Sequence, residues 1–307
     1  MGTRPFMQSL PTGASVAVLP DAESLGLAAA TILVAEARRA VNSAGRFSMA
    51  LAGGSTPKPV YELLAALPFA GLMPWEATEI FWGDERCVEP TDSRSNERMA
   101  RQVLLDHVPI PAGQVHPMRC DGSGAADAGG VLQHGEPAAR RAADDYERLL
   151  RSFFAGSGPG DGSAPGLDLV LLGMGDNGHT ASLFPGSDAL DERERWAMAA
   201  LEDPGTAAAT SGTGERLWRV TLSVPFINRA ALVLFVVSGA SKAGAVQRVL
   251  QGEGDAHELP ARAIRPMAGR LWWLLDDEAA SELAAAPAAG AVESFDDLPD
   301  CWLGPSR

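Results

Sequence analysis

LDLVLLGMGDNGHTASLFPGS, residues 167–187, sets a strand pattern at 167–172, apolar except for Asp168, directly against a glycine-rich turn. A Val/Leu run with no polar alternation reads as a strand covered on both faces, the pattern of a parallel sheet in an α/β fold. The turn also carries Gly173, Gly175 and Gly178 in the spacing G-x-G-x-x-G, which raises the question of a dinucleotide cradle. Such a cradle needs a full helix after the glycines, then a second strand ending in an acidic residue about 20 residues on. Here Pro185-Gly186 cuts the segment too soon for that helix, and the acidic cluster 188–194 precedes the next strand candidate. The nicotinamide reading fails on context, and no cofactor is expected. What the turn presents is His179, at the end of a buried strand.

Working outward, further strand patterns lie at 15–19, 46–52, 79–83, 196–201, 217–222, 231–237 and 270–275. Helical patterns lie between them at 21–41, 57–66, 93–107, 137–154, 241–251 and 277–285. This alternation predicts a Rossmann-like, doubly wound, mostly parallel sheet with helices on both faces. Two stretches rich in Gly, Ala, Ser, Asp and Pro, 121–135 and 155–166, read as loop insertions. Because strand patterns continue beyond each of them, a single α/β domain over 1–307 is expected.

Composition narrows the function. The 307 residues carry a formal net charge of −14, which argues against a nucleic-acid partner, since phosphate backbones call for basic patches. Cations for any anionic ligand must therefore be local. The apolar run 230–237 falls well short of the ~20 residues of a membrane span, and the first residues lack a signal-peptide core, so a cytoplasmic location is expected. Cys87, Cys120 and Cys301 are odd in number, widely spaced and free of C-x-x-C or Cys/His clusters. They imply neither a disulfide framework nor a structural metal.

Ligands of open α/β sheets bind at the carboxyl ends of strands, and four polar loops fall there. In LAGGSTPKPVYELL, 51–64, Gly53 and Gly54 allow close backbone approach, Ser55 and Thr56 offer hydroxyls, and Pro57 suits a first helical position with Thr56 as cap. That is a ready anion site, or an ordinary capped turn. In 81–99, Asp84, Glu85 and Arg86 follow a strand, and Arg94, Ser95 and Asn96 open the next helix. An Arg at a strand end can clamp a phosphate or an oxyanion, although isolated D-E-R runs are more often solvated ion pairs. Lys242, in the first turn of the helix after 231–237, can add a point charge. His179, with an ordinary pKa near 6.5, suits a general base. The remaining histidines, His107, His116, His134 and His257, sit in helix-end or loop contexts that suggest no chemistry.

The blocks LAGGSTP, GDERCVEPTDSRSN, LDLVLLGMGDNGHTASLFPG, RVTLSVPFINRA, SGASKAGAVQRVL and LPARAI occur in this order, and together the chain resembles the glucosamine-6-phosphate isomerase/6-phosphogluconolactonase family, on its lactonase side, over about 15–285. The resemblance implies a Rossmann-like hydrolase without nicotinamide or metal. It implies hydrolysis of 6-phospho-D-glucono-1,5-lactone to 6-phosphogluconate in the pentose phosphate pathway. Position by position, His179 would activate water; Arg86 and Lys242 would neutralise the substrate; Ser55, with Gly53, Gly54 and Thr56, would contact phosphate. Asp84 would orient Arg86 or a substrate hydroxyl. Whether Arg86 serves phosphate or oxyanion stays open at this point.

One position departs from the family pattern. Members usually carry Asp immediately before Gly-His, and this chain has Asn177, which accepts a hydrogen bond without adding charge. Either Asn177 is a neutral partner of His179 or Asp176 substitutes. A deaminase-like sugar-phosphate enzyme is the nearest rival, but it would show Asp-Glu-Tyr and Gly-His-Ile-Ala-Phe-Asn where this chain has Asp84-Glu85-Arg86 and GHTASL at 178–183. A non-catalytic sugar-phosphate sensor would bring a basic helix-turn-helix segment, which the sequence lacks. The expected partner is a small sugar-phosphate lactone bound by a monomer or small homo-oligomer.

Overall fold

The computed structural model describes residues 8–9, 13–120, 135–155, 165–202 and 217–284. Its strands are β1 (Gln8–Ser9), β2 (Ser15–Leu19), β3 (Phe47–Leu51), β4 (Thr78–Trp82), β5 (Asp84–Arg86), β6 (Leu169–Leu172), β7 (Ala197–Glu202), β8 (Leu217–Leu222), β9 (Leu232–Val237) and β10 (Arg270–Asp276). Its helices are α1 (Ala22–Ala44), α2 (Pro57–Ala65), α3 (Phe69–Leu72), α4 (Asn96–Val103), α5 (Glu136–Phe154), α6 (Val224–Ile227) and α7 (Ala243–Leu250). None of the described helices is long and apolar enough to cross a membrane.

Six strands run parallel in the order β2-β10-β9-β6-β3-β4, with β1 pairing antiparallel at the outer edge of β2. Every residue of β3, β6 and β9 is buried, so the continuous apolar runs of the sequence are the central strands of a sheet covered by helices. The mostly parallel α/β architecture expected from the alternation is the one observed. Helix α1 shows the usual start and stop chemistry: the Asp21 carboxylate accepts from the Ser24 backbone N–H at 2.7 Å, and Gly45 ends the helix at φ +76.

The sequence reading placed too many strands in the main sheet. β7 and β8 belong to a separate antiparallel sheet of order β5-β8-β7, on which α5 packs. The chain crosses between sheets at Gly83, whose N–H donates to the Leu51 carbonyl and whose carbonyl accepts from the Leu222 N–H, both at 2.8 Å. Strand β5 is short enough to escape a periodicity reading, and it carries Asp84, Glu85 and Arg86.

Other expectations need correction. Residues 277–284 form turns instead of a helix, because the Asp276 carboxylate is shared among the N–H groups of Ala279 and Gly239 and the Ser238 hydroxyl, and this binds the segment to the neighbouring loop. The helix read at 93–107 narrows to α4, capped by the Ser95 hydroxyl accepting from the Arg98 N–H, followed by a single 3₁₀ turn. Cys87 and Cys120 are bonded through their sulfurs, with Cα atoms 4.9 Å apart, although their spacing of 33 residues gave no sign of it. Apart from their ends, the insertions at 121–135 and 155–166 lie outside the described residues, as does His134.

Candidate active site

The carboxyl ends of β3, β4, β6 and β9 open onto one cleft of about 290 Å³. Gly53, Gly54, Ser55, Thr56, Asp84, Arg86, His179 and Lys242 all line it. A volume near 300 Å³ is at the lower end of the range for small-molecule sites. Among the described residues no group of three or more His, Cys, Asp or Glu is placed to hold a metal ion.

The first wall is the turn from β3 into α2. Its base is fixed by the buried Tyr61 hydroxyl, which accepts from the Ala52 N–H at 2.9 Å and donates to the Ala52 carbonyl at 2.8 Å. Gly54 has φ +95, and a Cβ on Gly53 would lie 2.0 Å from Asn96 Oδ1, so neither position has room or conformation for a side chain. Pro57 is the first helical residue, as expected, but Thr56 is already helical at φ −66, ψ −43 and its side chain makes no capping bond. No side-chain cap occupies this helix start, although Pro57 and Pro59 bring no N–H to it.

The second wall is β5 with the start of α4. The Glu85 carboxylate accepts from the backbone N–H groups of Arg86, Asn96 and Glu97 at 2.7–2.8 Å and from the Ser95 hydroxyl at 3.0 Å. Burial pushes this carboxyl up to about 7 against the pull of those backbone donors. Anchoring α4 in this way fixes Asn96, whose Oδ1 accepts from Arg86 Nη1 at 2.7 Å; the Arg94 carbonyl accepts from the same nitrogen at 2.7 Å. The Arg94 guanidinium is paired with Asp92. Asn96 Nδ2 in turn donates to the Asp84 carbonyl at 2.8 Å and to Asp84 Oδ1 at 3.4 Å, so Asp84 reaches Arg86 through Asn96. The Asp84 carboxylate also accepts from Ser182 Oγ at 2.6 Å and faces Arg219 Nη1 at 3.6 Å.

The third wall is the glycine-rich turn after β6. Gly175 N–H donates to the His179 carbonyl and Gly178 N–H to the Gly175 carbonyl, both at 2.9 Å, while Thr180 Oγ1 donates to the Gly173 carbonyl at 2.8 Å. Gly178 needs its φ of +78, and a Cβ on Gly175 would lie 2.0 Å from the imidazole ring. The glycines therefore make the space that His179 occupies. Asn177 Oδ1 receives both the His179 backbone N–H, at 3.1 Å, and Nδ1, at 2.6 Å. The backbone N–H, always a donor, identifies that atom as the amide oxygen, which only accepts, so Nδ1 carries the proton and Nε2 is the basic nitrogen. Burial, reinforced by the Arg219 charge, holds His179 down to about 4, so the ring is neutral at neutral pH.

Asp176 does not partner His179. Its carboxylate pairs with Lys242, which lies in the turn preceding α7 and not within the helix. The histidines set aside in the sequence have structural partners: His116 on Glu79 at 2.7 Å, His107 on the Gln102 carbonyl at 2.8 Å, and His257 on Asp191 at 3.1 Å.

The sequence reading missed Arg219, Ser182 and Glu202. Arg219, on β8, lines the cleft and is paired with the fully buried Glu202. The available signal was a charge inside the otherwise apolar strand LWRVTL, a residue type rarely buried without a function or a partner.

A model of the glucosamine-6-phosphate isomerases/6-phosphogluconolactonase family matches residues 20–273. The chain is 41% identical over 270 residues to a 6-phosphogluconolactonase of Nostoc sp., covering 88% of this chain and 98% of that one. It is 37% identical to a 6-phosphogluconolactonase of Mycobacterium tuberculosis, with the same coverage of 88% and 98%. The solved 6-phosphogluconolactonase of Trypanosoma brucei superposes with a TM-score of 0.72 at 32% identity, over 88% of this chain and 99% of the other.

Proposed function

The chain belongs to the glucosamine-6-phosphate isomerase/6-phosphogluconolactonase family, and we propose that His179 is the general base with which it carries out its lactonase reaction. The activity is that of a 6-phosphogluconolactonase, a carboxylic ester hydrolase of carbohydrate metabolism. Its reaction adds water to 6-phospho-D-glucono-1,5-lactone and yields 6-phospho-D-gluconate.

The observation that carries the reading of His179 is the double hydrogen bond to Asn177 Oδ1, which leaves Nε2 as a neutral base in a cleft lined by cations. Nε2 takes a proton from water as its oxygen bonds to the lactone carbonyl carbon. The tetrahedral adduct then collapses, the ring C–O bond breaks with its electron pair on oxygen, and the imidazolium returns the proton to that oxygen. A lactone is a strained ester and a comparatively easy electrophile, and the imidazolium of a weak base is a strong acid toward the departing alkoxide, so a base with a low pKa is serviceable. The start of α2 with Gly54, Ser55 and Thr56, together with Lys242 and Arg86, forms the anion-binding side of the cleft.

The test is lactone hydrolysis by wild type and His179→Ala, corrected for spontaneous ring opening. Loss of roughly 10²- to 10⁴-fold in kcat with binding of 6-phosphogluconate retained is the expected result for a general base. A wild-type rate equal to buffer overturns the activity, and a variant rate equal to wild type overturns the role of His179.

A further inference from the structure

We propose that Arg219 is a further catalytic residue of this cleft: its guanidinium meets the negative charge that forms on the lactone carbonyl oxygen, while Arg86 serves the phosphate side. This rests on the lactonase reading and on His179 as the base.

The first observation is register. On the antiparallel pair β5–β8, Arg86 stands directly opposite Arg219. Directly opposed residues share a face, and like charges there destabilise the pair. The fold maintains this arrangement at the edge of a cleft by placing the Asp84 and Glu202 carboxylates against Arg219. A like-charge pair that is offset but kept in place is an anion site in waiting.

The second observation is unused donor capacity. Arg219 is only 3% exposed yet lines the cleft, and its Nε has no hydrogen-bond partner; Arg86 Nε is in the same condition. A buried N–H without an acceptor carries a cost that a substrate oxygen can relieve. Because Glu202, Asp84 and, through Asp84, Ser182 hold the guanidinium rigidly, it needs no reorganisation as charge develops, which is the condition for effective oxyanion stabilisation.

The third observation separates the two arginines. The Arg219 guanidinium carbon lies 5.5 Å from the Phe184 ring centroid, and the same ring lies 5.4 Å from that of His179. Arg219 and the base therefore flank one aromatic ring. Arg86 is tied to Asn96, which abuts Gly53 and so belongs to the Gly53–Thr56 side. When water adds under His179, the carbonyl π pair moves onto oxygen, and Arg219 is the guanidinium on that side. As the ring C–O bond breaks, the same oxygen becomes part of the product carboxylate, so Arg219 also contacts the product.

The experiment uses the double variant Arg219→Gln/Glu202→Gln, which removes the buried ion pair together and leaves a neutral pair able to hydrogen-bond. Its readouts are kcat, KM, and the Kd values of 6-phosphogluconate and of D-glucitol 6-phosphate, which has the phosphate but no carboxylate. The expected result is a kcat lower by about 10²- to 10³-fold with KM little changed. Binding of 6-phosphogluconate weakens, and binding of D-glucitol 6-phosphate stays at the wild-type level. Equal weakening for both ligands, or a near-wild-type kcat, overturns the proposal. Should the neutral pair not fold, Arg219→Lys keeps the charge against Glu202 but loses the guanidinium fork; a fall in kcat without loss of D-glucitol 6-phosphate binding supports the role, and an unchanged kcat overturns it. A wild type without lactonase activity whose binding of 6-phosphogluconate still depends on Arg219 would overturn the activity and leave the anion site standing.

Discussion

Asn177 Oδ1 lies 2.6 Å from His179 Nδ1 and 3.1 Å from the backbone nitrogen of the same residue, so a neutral amide sets the tautomer of the imidazole. Replacing it by a carboxylate keeps the geometry and adds a charge. An opposite charge at this range raises an imidazole pKa by ~1 to 3 units. With His179 starting at about 4, the acidic limb of the kcat/KM profile moves to higher pH in Asn177→Asp, since the unprotonated ring is the active form. The plateau rate rises, because the imidazolium of the transition state gains a counter-ion. Rate against pH from 3.5 to 8 measures both; an acidic limb that stays in place would remove Asn177 from the account of His179.

On the proposed role of Lys242, its charge reaches the substrate's anionic group only after leaving Asp176, its present partner. Asp176 is mostly exposed, and an ion pair of that kind contributes up to about 1 kcal/mol. Asp176→Asn is therefore expected to lower KM by a factor of up to about 5, the rate equivalent of that energy, with kcat unchanged. The gain should shrink as salt is raised, because screening weakens the same pair in wild type. Lys242→Gln, assayed alongside, should raise KM. An unchanged KM in Asp176→Asn, with the Lys242 effect intact, would show that the pair opens without cost.

Two glycines of the turn separate activity from stability. In Gly175→Ala the new Cβ would meet the His179 ring at 2.0 Å, and a ring at the end of a side chain can swing away while the backbone stays in place. Activity should fall by at least about 10²-fold, the contribution of a displaced base, with little change in Tm. In Gly178→Ala the backbone must hold φ +78 with a side chain, and the Cβ meets Leu259 at 2.7 Å. That variant should lose roughly 1–3 kcal/mol of stability by strain at a left-handed position. Thermal melts and lactone assays on both variants distinguish the two mechanisms.

The central strands were legible because β3, β6 and β9 are buried on both faces, which leaves a continuous apolar run in β6 and β9 and one broken only by Ser48 in β3. Strands β7 and β8 were found as strands but given to the wrong sheet, since local periodicity carries no information about pairing partner. The glycines, Ser55, Arg86, His179 and Lys242 were found because each sits at a strand end. Arg219 sits within a strand, and its presence in the cleft depends on the transfer of the chain at Gly83 from one sheet to the other, a tertiary event. The choice between Asp176 and Asn177 as partner of His179 likewise depends on the turn of Gly178 and on where Lys242 arrives from the turn between β9 and α7, neither of which adjacent residues encode.

The low pKa of His179 also makes a stability prediction. Its folded value of about 4 lies below the ordinary 6.5, so between those values the unfolded chain binds a proton that the folded chain does not. Stability from this residue is complete above pH 6.5 and is lost as pH falls through about 4. At ~1.4 kcal/mol per unit the ceiling is about 3 kcal/mol, and access of solvent to the ring from the cleft brings the effect below it. His179→Gln stays neutral at every pH and removes the term, whereas the carboxylates that drive acid unfolding remain in both proteins. The urea-unfolding free energy of wild type minus that of His179→Gln should therefore decline from pH 7 to pH 4.5. A difference that is constant across that range would mean that His179 is protonated in the folded protein near its ordinary pKa, and with it the neutral-base reading of the cleft would lose its electrostatic ground.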